Sequence, residues 1–483
     1  MPSNGKEIFE DFDAGHAGYY KYILYLKENN SELFFIPHFP FFILVLWCKK
    51  NLHNQDADYG GSVKMSDIKS KSQRRTFLKK SLTVGSSIGG LIASKSVIAQ
   101  SNSSTFLVID PWTKVQGSTF INPPYGLPSK YEKNVVRVLP SPPPTFLTGS
   151  RTPLQNLHGI ITPNGLVFER HHAGIPDINP DQHRLVIHGL VDRPIIFTME
   201  DIVRFPSESR VYFLECSGNS AAELKKASGK TAQEIHGLLS CCEWTGVRLS
   251  TILQECGVQP TAKWALAEGA DGAAMTRSIP MSKMMDDALL VYAQNGEMLR
   301  AEQGYPLRLF LPGYEGNMSI KWLRRIKLGT EPWQTREETS AYTDLLPNGK
   351  AEQFTFAMDV KSVITQPSGM MKLKSKGFYE ISGFAWSGNG GIKRVEVSLD
   401  GGASWTQAVL QEPVMDKSLV RFRFPWMWDG APAMLMSRAT DSSGAVQPTM
   451  DALLKAKGSN FFYHNNAIQP WRVAANGEIT NGR

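Results

Sequence analysis

A thiol stands where an apolar run gives way to a turn. Val211, Tyr212, Phe213 and Leu214 have the composition of a buried, central strand, and Ser217, Gly218 and Asn219 then turn the chain. Cys216 sits at that junction, at a sheet edge that chemistry can reach. Taken alone it is either an inert core cysteine, the commoner fate of a single thiol, or a thiol placed to react. Two further stretches carry chemically capable side chains. Phe168-Glu-Arg170-His-His172 gathers one arginine and two histidines, as a solvated loop or as part of a polar site. Lys321-Trp322 is either a solvated lysine beside core packing or a second piece of the same site.

The composition bounds what such a site can be. The chain has 483 residues, 42% hydrophobic and 20% charged, enough for two or three domains with real cores. The net charge of +7 comes without a Lys/Arg tract, which argues against nucleic acid as a partner and fits anionic ligands or an acidic partner. Five cysteines, at 48, 216, 241, 242 and 256, include no C-x-x-C pair, so neither a zinc ribbon nor a covalent haem site is present. Cys241, Cys242 and Cys256 fall beside or within an apolar helix pattern and are read as structural.

The elements that must position these residues begin after an export signal. Ser72-Gln73-Arg74-Arg75-Thr76-Phe77-Leu78 is a twin-arginine pattern, Leu82 to Val97 is mildly apolar, and Val97-Ile98-Ala99 ends in a small-residue cleavage site. Residues 65–99 thus read as a Tat signal starting at Met65, which predicts a periplasmic, cofactor-bearing protein. Residues 1–64 read as a start-site extension, with the short apolar run Leu33 to Cys48 as an alternative membrane anchor. Residues 100–150, rich in Pro and Ser, read as an extended arm. From 151 to 345 strands and helices mix. Arg184 to Leu190 is a strand, Thr198 caps a helix with Asp201 three residues on, and Ser250 to Cys256 is a helix stopped by Gly257. From 346 to 483 strands dominate. Val395 to Leu399 enters an Asp400-Gly401-Gly402 hairpin, and Arg421 and Arg423 alternate with Val420, Phe422, Phe424 and Trp426. The fold class is therefore α+β, with an immunoglobulin-sized β-sandwich at the end.

The chemical residues fall in a recognisable order. Phe168-x-Arg170-x-His172, Glu215-Cys216-Ser-Gly-Asn219, Trp244-Thr-Gly-Val-Arg-Leu249, Glu268-Gly-Ala-Asp271, Ser278-Ile-Pro280, Gly304-Tyr-Pro-Leu-Arg308 and Lys321-Trp322-Leu323 follow one another, then Gly383 to Gly388 and Val395 to Gly402. From about Pro153 onward the chain resembles the sulfite oxidase family of molybdopterin enzymes. Within that family, Arg151 to Gln155, His158 to Ile161, Glu169 to His172, Glu315 to Met318 and Lys321 to Arg325 point to the molybdenum subunit of Sox-type sulfite/sulfane dehydrogenases.

The resemblance implies a sulfite-oxidase-type molybdopterin-binding domain followed by a sandwich that forms a homodimer. It implies one molybdenum–molybdopterin per chain with Cys216 as its protein ligand. Such an enzyme transfers oxygen from water to sulfur and passes electrons to a separate c-type cytochrome. Phe168, Arg170, His172, Asp271, Arg308 and Lys321 are the expected cofactor-binding residues, and Arg170 also faces the substrate. The residue types agree: a soft thiolate suits the metal, and Arg, His and Lys suit a phosphate tail. Four departures stand out. Met275 occupies a position where sulfite oxidases carry tyrosine, Gln303 replaces a histidine, and two substrate-pocket arginines are absent near Gly390 and Asn317-Met318. A pocket with fewer fixed charges favours sulfur on a carrier protein over free sulfite. Free sulfite oxidation, a sulfoxide reductase and a metal-free assembly subunit are the rival readings.

The export reading has a direct check. Arg74→Lys with Arg75→Lys should leave the precursor in the cytoplasm, seen by fractionation, while the wild-type mature chain should begin at Gln100 by mass spectrometry. Unchanged export of the double variant would sink it.

Overall fold

The computed structural model describes residues 128–139 and 148–483; the extension, the export signal and much of the arm lie outside them. The first half holds β1 (Leu185–Gly189), β2 (Ile195–Phe197), α1 (Met199–Val203), β3 (Ser207–Glu215), α2 (Ala232–His236), β4 (Leu239–Arg248), α3 (Leu249–Cys256), β5 (Trp264–Gly269), β6 (Thr276–Pro280), α4 (Met281–Asp286), β7 (Leu289–Gln294), β8 (Glu297–Met298), β9 (Arg308–Phe310) and β10 (Leu323–Gly329). Two five-stranded sheets result: β8-β7-β4-β3, with β9 also on β7, and β2-β1-β10-β5-β6. The predicted helix starts and stops are present. Thr198 and Asp201 form a reciprocal capping box, and Gly257 closes α3 in a left-handed conformation.

The second half is the expected sandwich. Its strands are β11 (Lys361–Gln366), β12 (Gly377–Trp386), β13 (Ile392–Ser398), β14 (Thr406–Gln407), β15 (Val409–Leu410), β16 (Val420–Trp428) and β17 (Ala433–Asp441). Helix α5 (Met450–Lys457) and strands β18 (Trp471–Val473) and β19 (Ile479–Asn481) follow. A four-stranded sheet, β11-β12-β16-β15, faces a five-stranded one, β14-β13-β17-β18-β19. Between them Ile381, Val395, Phe422, Leu435 and Trp471 are buried in one core.

Two expectations need correction. The strand leading to Cys216 is not central: among the described residues β3 pairs with β4 alone, and its other edge is covered where Phe213 N–H donates to Lys417 O at 3.0 Å. Its apolar composition reflects burial by the second half of the chain instead. Cys241 and Cys242 lie on β4, a strand with partners on both sides, and only Cys256 is helical. On β16 the arginines do alternate with apolar residues, and Arg421 faces inward. It is buried, donates to Leu157 O (2.9 Å) and Gly159 O (2.8 Å), and lies 4.3 Å over Phe384. Period-2 alternation marks the two faces of a strand but not what covers each. Here loop carbonyls from the first half cover Arg421, while Arg423 on the same face stays exposed.

The two halves also meet beneath the cysteine. Glu215, fully buried, accepts from Trp386 Nε1 (2.6 Å), Lys361 Nζ (3.3 Å) and Asn219 Nδ2 (2.9 Å). Lys361 also donates to Ser220 Oγ at 2.9 Å. A buried ion pair contributes little net stability against an apolar substitute, but removing one partner strands a charge. Lys361→Ala should therefore cost roughly 3–5 kcal/mol, measured as a drop in chemical-denaturation midpoint. Lys361→Met should cost nearly as much, because volume does not replace the ammonium. A loss no larger than that of a surface pair, below about 1 kcal/mol, would refute this account.

Candidate active site

The cysteine turn is held from several sides. Cys216 N–H donates to Leu238 O at 3.0 Å, and Asn219 N–H closes the turn onto Cys216 O at 2.9 Å. Asn219 Nδ2 reaches His236 O (3.1 Å), and its Oδ1 accepts from Leu238 N–H (3.2 Å). Ser217 O accepts from His464 N–H at 2.9 Å, and Ser217 Oγ from Asn317 Nδ2 at 3.1 Å. Burial pushes the Cys216 thiol up, opposed by the Gly218 N–H and the nearby Arg170 guanidinium. A free thiol here stays protonated at neutral pH; a bound metal would be needed to hold it as thiolate.

Phe168, Arg170, His172, Cys216, Asp271, Arg308 and Lys321 all line one cleft. The stretches named from sequence thus come together from distant parts of the chain. Lys321 Nζ donates to Arg170 O (3.1 Å), His171 Nδ1 (2.9 Å) and Glu302 O (3.0 Å). Gly304 helps bring these parts close: its φ is +110°, and a Cβ there would meet Lys321 Cβ at 3.1 Å. Arg308 donates to Gln303 O at 3.1 Å and lies 5.4 Å over the Trp244 ring. Phe168 packs with Leu214, Trp244 and Phe310, forming an apolar wall. Asp271 accepts from Met275 N–H at 3.2 Å.

The electrostatics favour an anion. Burial drives the Arg308 pKa down to about 9 and that of Lys321 well below the usual lysine range, the latter aided by Arg308. Arg308 Nε is buried with no partner among the described residues. Desolvated cations and an unmet donor are costly unless an acceptor arrives. A phosphate-bearing cofactor would supply that acceptor, and the thiol would supply one soft ligand in the same cleft. Among the described residues no group of three or more His, Cys, Asp or Glu could hold a bare metal ion. The donor set therefore fits a metal carried by an organic cofactor.

Two groups were missed in the sequence. His171, read only as a neighbour of His172, bridges Lys321 to Glu169, which also binds Arg137 at 2.6 Å. Tyr342 lines the cleft with its hydroxyl 3.1 Å from His172 Nε2, in a left-handed conformation (φ +55°). It lies in an irregular stretch near the end of the first half, where no periodicity marks it. Of the four departures, Met275, Gln303 and Asn317 line the cleft, but Gly390 does not. Gly390 instead faces Ser442 and Asp416, and Met318 is buried in the core.

Comparison with known proteins agrees with this geometry. Residues 172–337 match the oxidoreductase molybdopterin-binding domain, and 352–470 match the Mo-co oxidoreductase dimerisation domain. Mitochondrial sulfite oxidase of Rattus norvegicus is 31% identical over 336 residues, covering 64% of this chain and 59% of that protein. NADH nitrate reductase of Solanum lycopersicum is 33% identical, covering 58% and 34%. The chain thus spans only 59% or less of the length of these relatives. This chain belongs to the sulfite oxidase family of molybdopterin oxidoreductases. Among solved structures, the sulfane dehydrogenase SoxCD from Paracoccus pantotrophus is similar at TM-score 0.76 and 46% identity, over 77% of this chain and 97% of that one.

Burial, aided by Arg170, lowers the His172 pKa to about 4, so the imidazole is neutral at pH 7. The unfolded chain protonates His172 first as pH falls through about 6.5, so this residue's share of stability is lost between there and about pH 4. With solvent screening that share is of order 2 kcal/mol. Denaturant titration of the cofactor-free protein at pH 7 and 4.5 should show a smaller acid loss for His172→Gln than for wild type. Equal losses would contradict the assignment.

Proposed function

We propose that this chain is the molybdenum subunit of an exported sulfane/sulfite dehydrogenase. In this reading it oxidises sulfur on a carrier protein and delivers electrons to a c-type cytochrome. The observation that carries the reading is the cleft itself: one thiol at a strand end, faced by Arg170, Arg308 and Lys321. The 46% identity to a sulfane dehydrogenase over nearly its whole length supports the sulfur substrate. When bound, the molybdenum–pterin group supplies two-electron oxidation with oxygen transfer to sulfur.

The protein's own residues do the rest. Cys216 would hold the metal, while Arg308 and Lys321 would take the phosphate end, where desolvation makes them strong donors. Phe168 offers an apolar face to the ring system, and Asp271 an acceptor. Arg170 stands beside the thiol and orients an anionic sulfur group. Burial raises the Tyr342 phenol pKa, so it stays protonated, and its partner His172 stays neutral. This pair therefore adds hydrogen-bonding capacity without charge. Each oxygen added to sulfur comes from water and releases two protons and two electrons, so two one-electron acceptors are reduced.

The carrier-bound substrate follows from charge. Arg277 is fully buried close by, but Glu315 (3.1 Å) and Glu338 (3.6 Å) neutralise it. Asn317 ties to that cluster through Glu315 Oε2 at 2.9 Å. Arg170 stands beside the thiol, and a guanidinium there suits a terminal sulfur group whose remaining contacts come from a carrier.

Holoenzyme should reduce cytochrome c faster with thiosulfate-loaded carrier than with free sulfite or thiosulfate. Efficient turnover of free sulfite with tight apparent affinity would defeat the carrier argument, and activity only from reduced dye to sulfoxide would reverse the direction. Cys216→Ala should fold with a circular-dichroism spectrum like wild type, yet lose at least ~100-fold in activity together with its bound molybdenum. A fully active variant would remove Cys216 from the mechanism.

A further inference from the structure

The turn after Cys216 lies close to an exposed aromatic ring that does not line the cleft. A Cβ placed on Gly218 would stand 4.0 Å from Cys216 Sγ and 3.6 Å from Phe462 Cε1. A single glycine therefore separates the sulfur from the Phe462 ring, and that ring is 52% exposed. Its backbone is fixed, because the Asp344 carboxylate accepts the N–H groups of Phe462 (2.7 Å) and Tyr463 (3.2 Å). The ring meets Tyr463 edge-on at 5.1 Å, and Tyr463 meets Tyr342, a wall of the cleft, at 5.2 Å. Phe462 itself does not line the cleft.

A substrate needs the open cleft. Electrons do not, since tunnelling passes through packed atoms and weakens exponentially with distance. We propose that the face around Phe462 is the docking surface for a one-electron haem protein, with Phe462 as its apolar anchor and the Cys216–Gly218 turn as a short electron exit. The proposal rests on the oxidative reading above.

The surrounding charge fits a partner of matching sign. Lys225 and Lys226 are exposed just after the short helix Ala221–Leu224, whose Leu224 packs with Phe461 and Leu453. Lys455 is exposed on α5, against one exposed carboxylate there, Asp451. A rigid apolar anchor with a mainly basic rim suits an acidic acceptor and a small, short-lived electron-transfer interface. Each oxygen transferred to sulfur yields two electrons, so two ferric haems must each be reduced once, with the protons released to water.

The test uses holoenzyme with two acceptors: an acidic c-type cytochrome and ferricyanide. Phe462→Ser should lower kcat/KM for the cytochrome about tenfold and leave ferricyanide reduction within about twofold. Lys225→Glu with Lys226→Glu should flatten the salt dependence of cytochrome reduction alone. If wild type reduces the cytochrome and Phe462→Ser equals it, the docking face is wrong while the oxidative reading stands. If both acceptors slow together, Phe462 supports the site rather than the partner, and the proposal also fails. If wild type reduces neither acceptor from any sulfur donor, the oxidative reading falls and takes the docking face with it.

Discussion

The buried carboxylate of Glu215 is the constraint on which the site depends. It immediately precedes the thiol, is shut away from water, and has donors from three separate segments: Asn219 of the turn, Lys361 of β11 and Trp386 of β12. A carboxylate is affordable in such a place only with its lone pairs met and its charge paired. Those requirements can be satisfied only when the sandwich is folded and docked. The second half of the chain therefore does more than offer a surface for dimerisation. It supplies the cation and the indole that fix where the cysteine turn sits.

The same logic, inverted, applies across the cleft. Arg308 is buried with its Nε unpartnered among the described residues, and the buried Lys321 ammonium has only neutral acceptors, whereas Glu215 has donors on both of its oxygens. The carboxylate is finished by the protein alone, and the cations are left short of negative charge. That asymmetry is what a site built around an anionic cofactor requires: a rigid thiol anchor together with desolvated cations. His171 shows how such a cation is still held in place. It links Lys321 to Glu169, so the ammonium is aimed without being neutralised at contact.

Much of this was legible in the sequence, because motif residues carry fixed backbone demands. The Thr198 cap, the Gly257 stop and the hairpin after Ser398 are local, and local chemistry sets them. Cys216, Arg170, Arg308 and Lys321 could be named because residue type and order recur together, although their meeting is a tertiary event. What could not be read is set by partners far away in sequence. Nothing local to β16 shows that the carbonyls of Leu157 and Gly159 cover Arg421. Strand β3 looks central because the sandwich, not a second strand, buries its outer side. Tyr342 gave no signal at all, being one aromatic in an irregular stretch. Gly390 lies outside the cleft lining, and a position without a side chain carries no signal of what a longer residue there would reach.

The substrate question then turns on where positive charge is kept and where it is cancelled. A buried arginine is not by itself a substrate arginine. Arg277 is fully enclosed, stacked 5.1 Å from the Tyr342 ring and paired with Glu315. Its charge is spent in holding Asn317 and the cysteine turn, through the bonds of Asn317 to Glu315 and Ser217. A cation neutralised within the scaffold gives rigidity to the cysteine turn rather than affinity for a free dianion. In the carrier-bound reading proposed above, the carrier's own surface would supply the remaining binding energy.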